Sequence, residues 1–210
     1  MKKFFISAFM ILFGTCAVFA AKPELNIDFN FAVPALFNLK ASDDSRKLDL
    51  TTSLGADADF QIFFTPYIGA FIETEFYFPV NRLLIDEDKN RSTQSPSDFT
   101  SWWGFSTLIG PAFRAINFNR WSAVVAPGFT LRTQEMQRDS YKAVTYLTGA
   151  GVNLGVRFKL NKFIYLRAGQ EIDLYFHKWV KEEFSDSTKD TDAKTLFLNA
   201  TESIGFGFIF

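Results

Sequence analysis

The final sixteen residues, Thr195 to Phe210 (TLFLNATESIGFGFIF), limit the choice of fold more than any other stretch. Leu196, Leu198, Ala200, Ile204, Phe206, Phe208 and Phe210 share one face; Asn199, Thr201, Ser203, Gly205 and Gly207 lie on the other. A period of two sustained that long is a β-strand and excludes a helix. Frayed ends in water rarely carry a row of aromatics. A strand whose apolar face meets hydrocarbon can end this way, and so can an ordinary core strand at a truncated end, so this stretch alone leaves both open.

The other end of the chain favours export. Lys2 and Lys3, the apolar run Phe4 to Phe13, and Val18-Phe19-Ala20 before Ala21 form a secretory leader, residues 1–20, too short for a membrane anchor. The lone cysteine, Cys16, falls inside it, and Thr15 before it makes a poor lipidation site. Residues 21–210 then form one thiol-free domain, as expected of an exported chain that does not use disulfides. Its net charge is −3 once the two leader lysines are gone from a total of −1, which makes no electrostatic case for nucleic acid. The composition combines 27 Phe with 21% charged residues, yet no apolar run beyond the leader reaches the roughly 20 residues of a membrane helix. Membrane barrels reconcile these facts by alternation.

Eight alternating stretches follow: residues 24–33, 48–64, 67–78, 102–116, 121–133, 143–160, 163–177 and the terminal one. The connections alternate between long and short. Tight turns fall at Thr65-Pro66, at Phe118-Asn119-Arg120 and at Asn161-Lys162, and polar loops are expected at 37–47, 79–100, 134–142 and 178–194. This pattern predicts an all-β fold, an eight-stranded antiparallel up-and-down transmembrane β-barrel. Pro111 and Pro127, neither of which can donate to a ladder, should face each other across a hairpin centred on Asn119 and kink it.

Charge placement gives the sharpest test. The outward rows hold one charged residue, Glu202, and one amide, Gln170; a bulge at Glu202 would turn it inward. The inward rows carry Asp28, Asp57, Asp59, Glu73, Glu75, Glu171 and Asp173 against Arg114, Arg132, Arg157 and Arg167. Ring closure brings these arcs together, where unpaired charge is expensive. A salt-bridged plug is favoured over an ion pathway, with small inward residues such as Gly104, Gly151 and Gly155 making room. Leu108, Val124 and Leu147 are the inward apolar side chains at mid-depth. Two aromatic girdles should mark the bilayer interfaces: Tyr67, Phe118, Trp121, Phe163, Tyr165 and Phe210 at the short-turn end, and Phe76, Phe78, Trp102, Trp103, Tyr146, Tyr175, Phe176 and Trp179 at the other.

SIGFGFIF resembles the C-terminal assembly signal of bacterial outer-membrane barrels, with Ser203, Gly205, Phe208 and Phe210 at its four defining positions. As an architecture, the whole exported chain resembles the small barrels typified by the OmpA membrane domain, OmpX and OmpW. The resemblance implies an outer-membrane location, surrounding lipid, and insertion by the barrel assembly machinery. It also implies a structural or surface-interaction role through loops that meet host or environmental ligands. An OmpW-like conduit for small molecules, some of them hydrophobic, is the alternative, and a secreted lipocalin-like barrel with its Phe rows turned inward is another. Enzyme activity is not expected: the only histidine, His177, is followed two residues on by Trp179, where resembling lipid A deacylases carry Ser. Neither a cofactor nor a metal is expected from one His and no exported Cys.

Overall fold

The computed structural model describes residues 23–38, 46–86, 91–184 and 187–210, so the expected leader lies outside the described residues. Nine strands run in order: β1 (Glu24–Asn38), β2 (Arg46–Phe63), β3 (Ile68–Asp86), β4 (Arg91–Gln94), β5 (Ser101–Phe118), β6 (Trp121–Arg138), β7 (Tyr141–Lys159), β8 (Ile164–Phe184) and β9 (Ser187–Ile209). All pairings are antiparallel; β3 pairs with β5 past the short β4, and β9 returns to β1, so eight strands close a ring. The ninth, β4, is a four-residue addition that pairs only with the tip of β3. The eight-stranded prediction therefore describes the ring, in which every strand has a partner on both sides.

The start of β1, the end of β9 and three tight turns lie at one end, the near end. The left-handed φ of Asn119 (54°) closes β5–β6 there. At the other, far end, the strands continue where the sequence suggests loops. β1 runs through Pro34 to Asn38, and β3 runs through Pro79 to Asp86. The region expected as a loop at 134–142 is a two-residue turn, Asp139-Ser140, between paired Arg138 and Tyr141, with Asp139 at φ 48°. The span 178–194 is likewise mostly strand, paired from His177↔Lys194 to Phe184↔Ser187. The physical reason is that both faces of a strand are wet beyond the bilayer. Alternation then disappears from the sequence while the ladder goes on. The 23 residues of β9 rise about 75 Å at ~3.3 Å each. Tilted by roughly 40°, they reach nearly 60 Å along the axis, well beyond an apolar band of about 25 Å.

Prolines sit where ladders lapse. β1 has no β2 partner at Val33 or Pro34, and β2–β3 shifts register beside Pro79. In β5–β6, pairing stops between Ile109↔Phe129 and Phe113↔Val125, the interval holding Pro111 and Pro127, and a bulge follows at Ala115.

The sidedness agrees with the sequence. Phe29, Phe31, Phe60, Phe76, Phe113, Phe129, Leu154, Leu174 and Phe206 are exposed on the outer wall, while the alternate positions are buried. The lipocalin-like alternative, with rings gathered inside, is thereby overturned. Two corrections concern the girdles and one the misfit. Tyr165 (1% exposed) and Tyr175 (0%) point into the barrel, on the parity of Arg167 and Asp173, and Trp102 is buried. Glu202 is not turned inward by any bulge: β9 stays in register there with Val33 and Gln170, and the side chain is exposed.

Replacing Leu154, exposed in the middle of this wall, with arginine is expected to lower stability by about 2–4 kcal/mol. Urea unfolding of the protein refolded in lipid vesicles measures it, and an unchanged midpoint would mean that Leu154 does not face hydrocarbon.

Candidate functional site: a charged lumen inside an apolar wall

The lumen is built by parity. Each strand turns every second residue inward, and all eleven ionisable residues read as inward are buried. Asp28 on β1, Asp57 and Asp59 on β2, and Arg157 and Arg167 on β7 and β8 meet at the near half of the barrel. Arg157 Nη2 lies 2.8 Å from Asp28 Oδ2. Arg167 Nη2 lies 2.7 Å from Asp59 Oδ2, with Nε 3.4 Å from Asp28 and Nη1 3.8 Å from Asp57. The Tyr165 hydroxyl donates to Asp28, and Asn30 donates to Asp57. Arg167 thus joins acids of β1 and β2, two and three strands away around the ring.

Seven buried acids face four buried arginines, so neutral donors carry part of the load. Asn153 takes Arg167 Nη2 on its carbonyl (2.9 Å) and donates to Glu73 (2.7 Å). Ser106 donates to Glu75 (3.0 Å), and Asn199 and Tyr175 both donate to Asp173 (3.1 Å each). Asn199 also accepts from Arg132 Nη1 at 2.9 Å. Arg114 pairs with Glu24 at the near rim and reaches the Pro66 carbonyl (3.3 Å). Three arginines lie over aromatic rings: Arg114 on Phe63 (4.0 Å), Arg132 on Tyr77 (3.8 Å) and Arg157 on Tyr165 (4.7 Å). A guanidinium stacked this way keeps favourable contacts on its face while its edge hydrogen-bonds.

Sequence reasoning missed these rings. Phe63, Tyr77, Tyr165 and Tyr175 are inward, and parity alone would have located them. Glycines make the space: a Cβ on Gly104 would run into the Tyr77 ring, and one on Gly207 into Asp28 and Tyr165. Leu108, Val124 and Leu147 are inward as read. The first two pack with Phe63, Phe71, Ala112 and Ala126 in a small apolar cluster behind the proline interval.

Asp57, Asp59 and Glu73 present carboxylate oxygens within 4.8 Å of one another, an arrangement that suits a cation. The Arg167 guanidinium already supplies positive charge to the two aspartates. His177 is half-exposed at the far end, 3.3 Å from Asp192, and Trp179 stacks on Tyr146 at 4.9 Å. Beyond the wall, burial and a hydrogen bond to Glu182 push the Tyr141 phenol up to about 12. The four residues that resemble an assembly signal lie at the closing seam: Gly205 opposes Asn30, Ser203 opposes Ala32, and Phe208 and Phe210 lie toward lipid at the near rim.

No protein-family model and no curated protein matches the sequence. Solved structures do match. Neisserial surface protein A, NspA, superposes with a TM-score of 0.61 at 10% identity, over 89% of this chain and 97% of that one. The outer-membrane protein OprG of Pseudomonas aeruginosa gives 0.57 at 11% identity, over 91% and 97%. The outer-membrane protein AlkL, solved in lipid bilayers, gives 0.54 at 13%, over 91% and 92%. This is the outer-membrane β-barrel fold. In such a barrel the exposed Phe rows face hydrocarbon and the arginine network fills the interior, matching the chemistry read from each face.

Arg167→Met would leave Asp28, Asp57 and Asp59 buried without their shared cation and should destabilise the barrel by about 3–5 kcal/mol. Adding Asp59→Asn should recover part of that loss. Unfolding midpoints in detergent test both, and equal stability of Arg167→Met and wild type would refute the pairing.

Proposed function

We propose that this chain is an integral outer-membrane protein whose interior is plugged and whose activity lies in surface contacts made by its far-end hairpins. The observation that carries this reading is the burial of all eleven lumen charges, with Arg157 and Arg167 paired across strands to Asp28, Asp57 and Asp59. Above them remains a cavity of about 80 Å³ at the far end, floored by Arg132 and walled by Leu36, Leu147 and Phe197. Ala112 and Ala126, fully buried behind the Pro111–Pro127 interval, give no support to the lateral opening that an OmpW-like conduit needs. The far-end hairpins favour a display role. They are strands rather than loose loops, and ion pairs brace adjacent strands: Arg82 with Asp49 (2.7 Å) and Lys142 with Glu135 (3.0 Å). A paired, tall rim holds its side chains in fixed positions, which lowers the ordering cost of binding a host or environmental ligand. A catalytic role has no comparable support. His177 has a carboxylate neighbour in Asp192, but Trp179 stands where the resembling deacylases carry Ser.

The plug is tested in planar bilayers. Wild type is expected to give no steady unitary currents, while Arg167→Ala with Asp59→Ala, which clears the constriction, should give openings. Steady currents from wild type would overturn the plug in favour of a conduit.

Export and assembly complete the proposal. Residues 1–20 act as a cleaved leader, and Ser203, Gly205, Phe208 and Phe210 act as the signal read by the assembly machinery. Phe210→Ala should cut the amount inserted in cells several-fold while leaving refolding from urea into detergent unchanged. Heat-modifiable gel mobility reports both, and an equal loss in vitro would reduce Phe210 to a packing residue.

A further inference from the structure

Glu202 and Gln170 are the anomaly of the outer wall. They are register partners on β9 and β8, both exposed, and neither hydrogen-bonds to another described residue. Both stand mid-row. On β8, Ile164, Leu166 and Ala168 lie below Gln170, with Ile172, Leu174 and Phe176 above it. On β9, Ile204, Phe206, Phe208 and Phe210 lie below Glu202, with Ala200, Leu198 and Leu196 above. Hydrocarbon gives a carboxyl and an amide no partner, and ionisable groups at this depth face protein or water.

We propose that this patch is where two copies of the chain meet within the membrane. The argument is complementarity under symmetry. Two barrels inserted in the same sense are related by a twofold axis along the membrane normal. Across that axis left and right exchange, so the Glu202 of one copy faces the Gln170 of the other, and the pairing occurs twice. Each amide N–H donates to a carboxyl oxygen, and the two groups lacking partners in each copy satisfy those of the other. A pair of acids alone would repel its own image; an acid beside an amide does not. The surroundings allow close approach. Ala200 pairs with Ala35 on β1, and Ala168 is the next outward residue below Gln170. Here each alanine stands beside an isoleucine, Ala168 opposite Ile204 and Ala200 opposite Ile172, so small and larger apolar groups flank the pair without a phenylalanine.

This inference rests on the membrane-embedded reading, and the experiment separates the two. The purified protein, labelled through Asp139→Cys at a far-end turn with donor or acceptor dye, is refolded into phosphatidylcholine vesicles. Energy transfer is then followed as protein is diluted into lipid. Wild type should associate in a one-to-one manner. Glu202→Leu and Gln170→Leu should each weaken association about tenfold, as expected for losing two hydrogen bonds in lipid. Glu202→Gln, which keeps an amide acceptor in place, should stay close to wild type. Leu174→Val, outside the patch, is the control, and heat-modifiable mobility verifies folding of each variant. A wild type that floats with vesicles yet stays monomeric at every dilution overturns the dimer. So does association indifferent to both leucine variants, or assembly larger than two. Failure to float with vesicles overturns the membrane reading itself.

Discussion

Hydrocarbon offers a peptide group no hydrogen bond, and the closing pair of β1 with β9 is what lets this chain live with that fact. An open eight-stranded sheet would carry two edges of unpaired N–H and C=O groups, each costing several kcal/mol in lipid. The pairing from Asn26↔Ile209 to Asn38↔Phe197 removes both edges at once. Much else follows from it. The pairing continues one residue past β9, where the Phe210 N–H donates to the Leu25 carbonyl and the Leu25 N–H to that of Phe210. Gly205 must be small, because a Cβ there would meet the Phe29 carbonyl and Asn30 across the seam.

Closure also creates the interior, whose chemistry is dictated by geometry. Eight strands leave a lumen just wide enough for side chains to fill. Acids on β1, β2 and β3 and arginines on β7 and β8 are far apart in sequence yet become neighbours across the ring. Asp28 and Arg157 are 129 residues apart and within 2.8 Å. Such pairs give closure a specific register, since a slip of one residue along the seam would send charges into lipid and phenylalanines into the lumen. The polar interior and the apolar wall are therefore two readouts of one alternation, each penalising the same error.

That alternation is also why so much could be read without coordinates. Within the bilayer each inward charge and each outward Phe reports the face of its strand, so the charged list from Asp28 to Asp173 was legible residue by residue. Individual pairings were not, because which arginine meets which acid depends on strand stagger, a property of the closed ring. Tyr165 and Tyr175 were misplaced because tyrosine suits both an interface girdle and a polar lumen; only their parity, shared with Arg167 and Asp173, distinguishes the two. The far-end strands were invisible for another reason. Between Pro79 and Asp86, or Lys178 and Lys194, both faces meet water, so nothing selects for alternation even though the backbone stays paired. Pro34 and Pro79 were read as strand ends, but a missing N–H deletes one ladder bond and not the strand. Glu202 was read as an error to be corrected by a bulge. The chain has kept it outward in regular register.

The rim and the lumen constrain function together. A lumen locked by Arg167 and its three aspartates holds the eight strands at fixed spacing, and strands that continue upward inherit that spacing. The far-end hairpins are then less like loops on a scaffold than like the scaffold itself, carried past the membrane. The Arg82–Asp49 pair ties β3 to β2 at that level, and the Tyr141–Glu182 hydrogen bond ties β7 to β8. A surface built this way can present a fixed pattern of charge. Opening would require breaking the buried ion pairs that give the barrel its register. In this architecture a stable display surface and a gated pore draw on the same interactions in opposite directions, and the proposed plugged, surface-contact role is the one that leaves the arginine network intact.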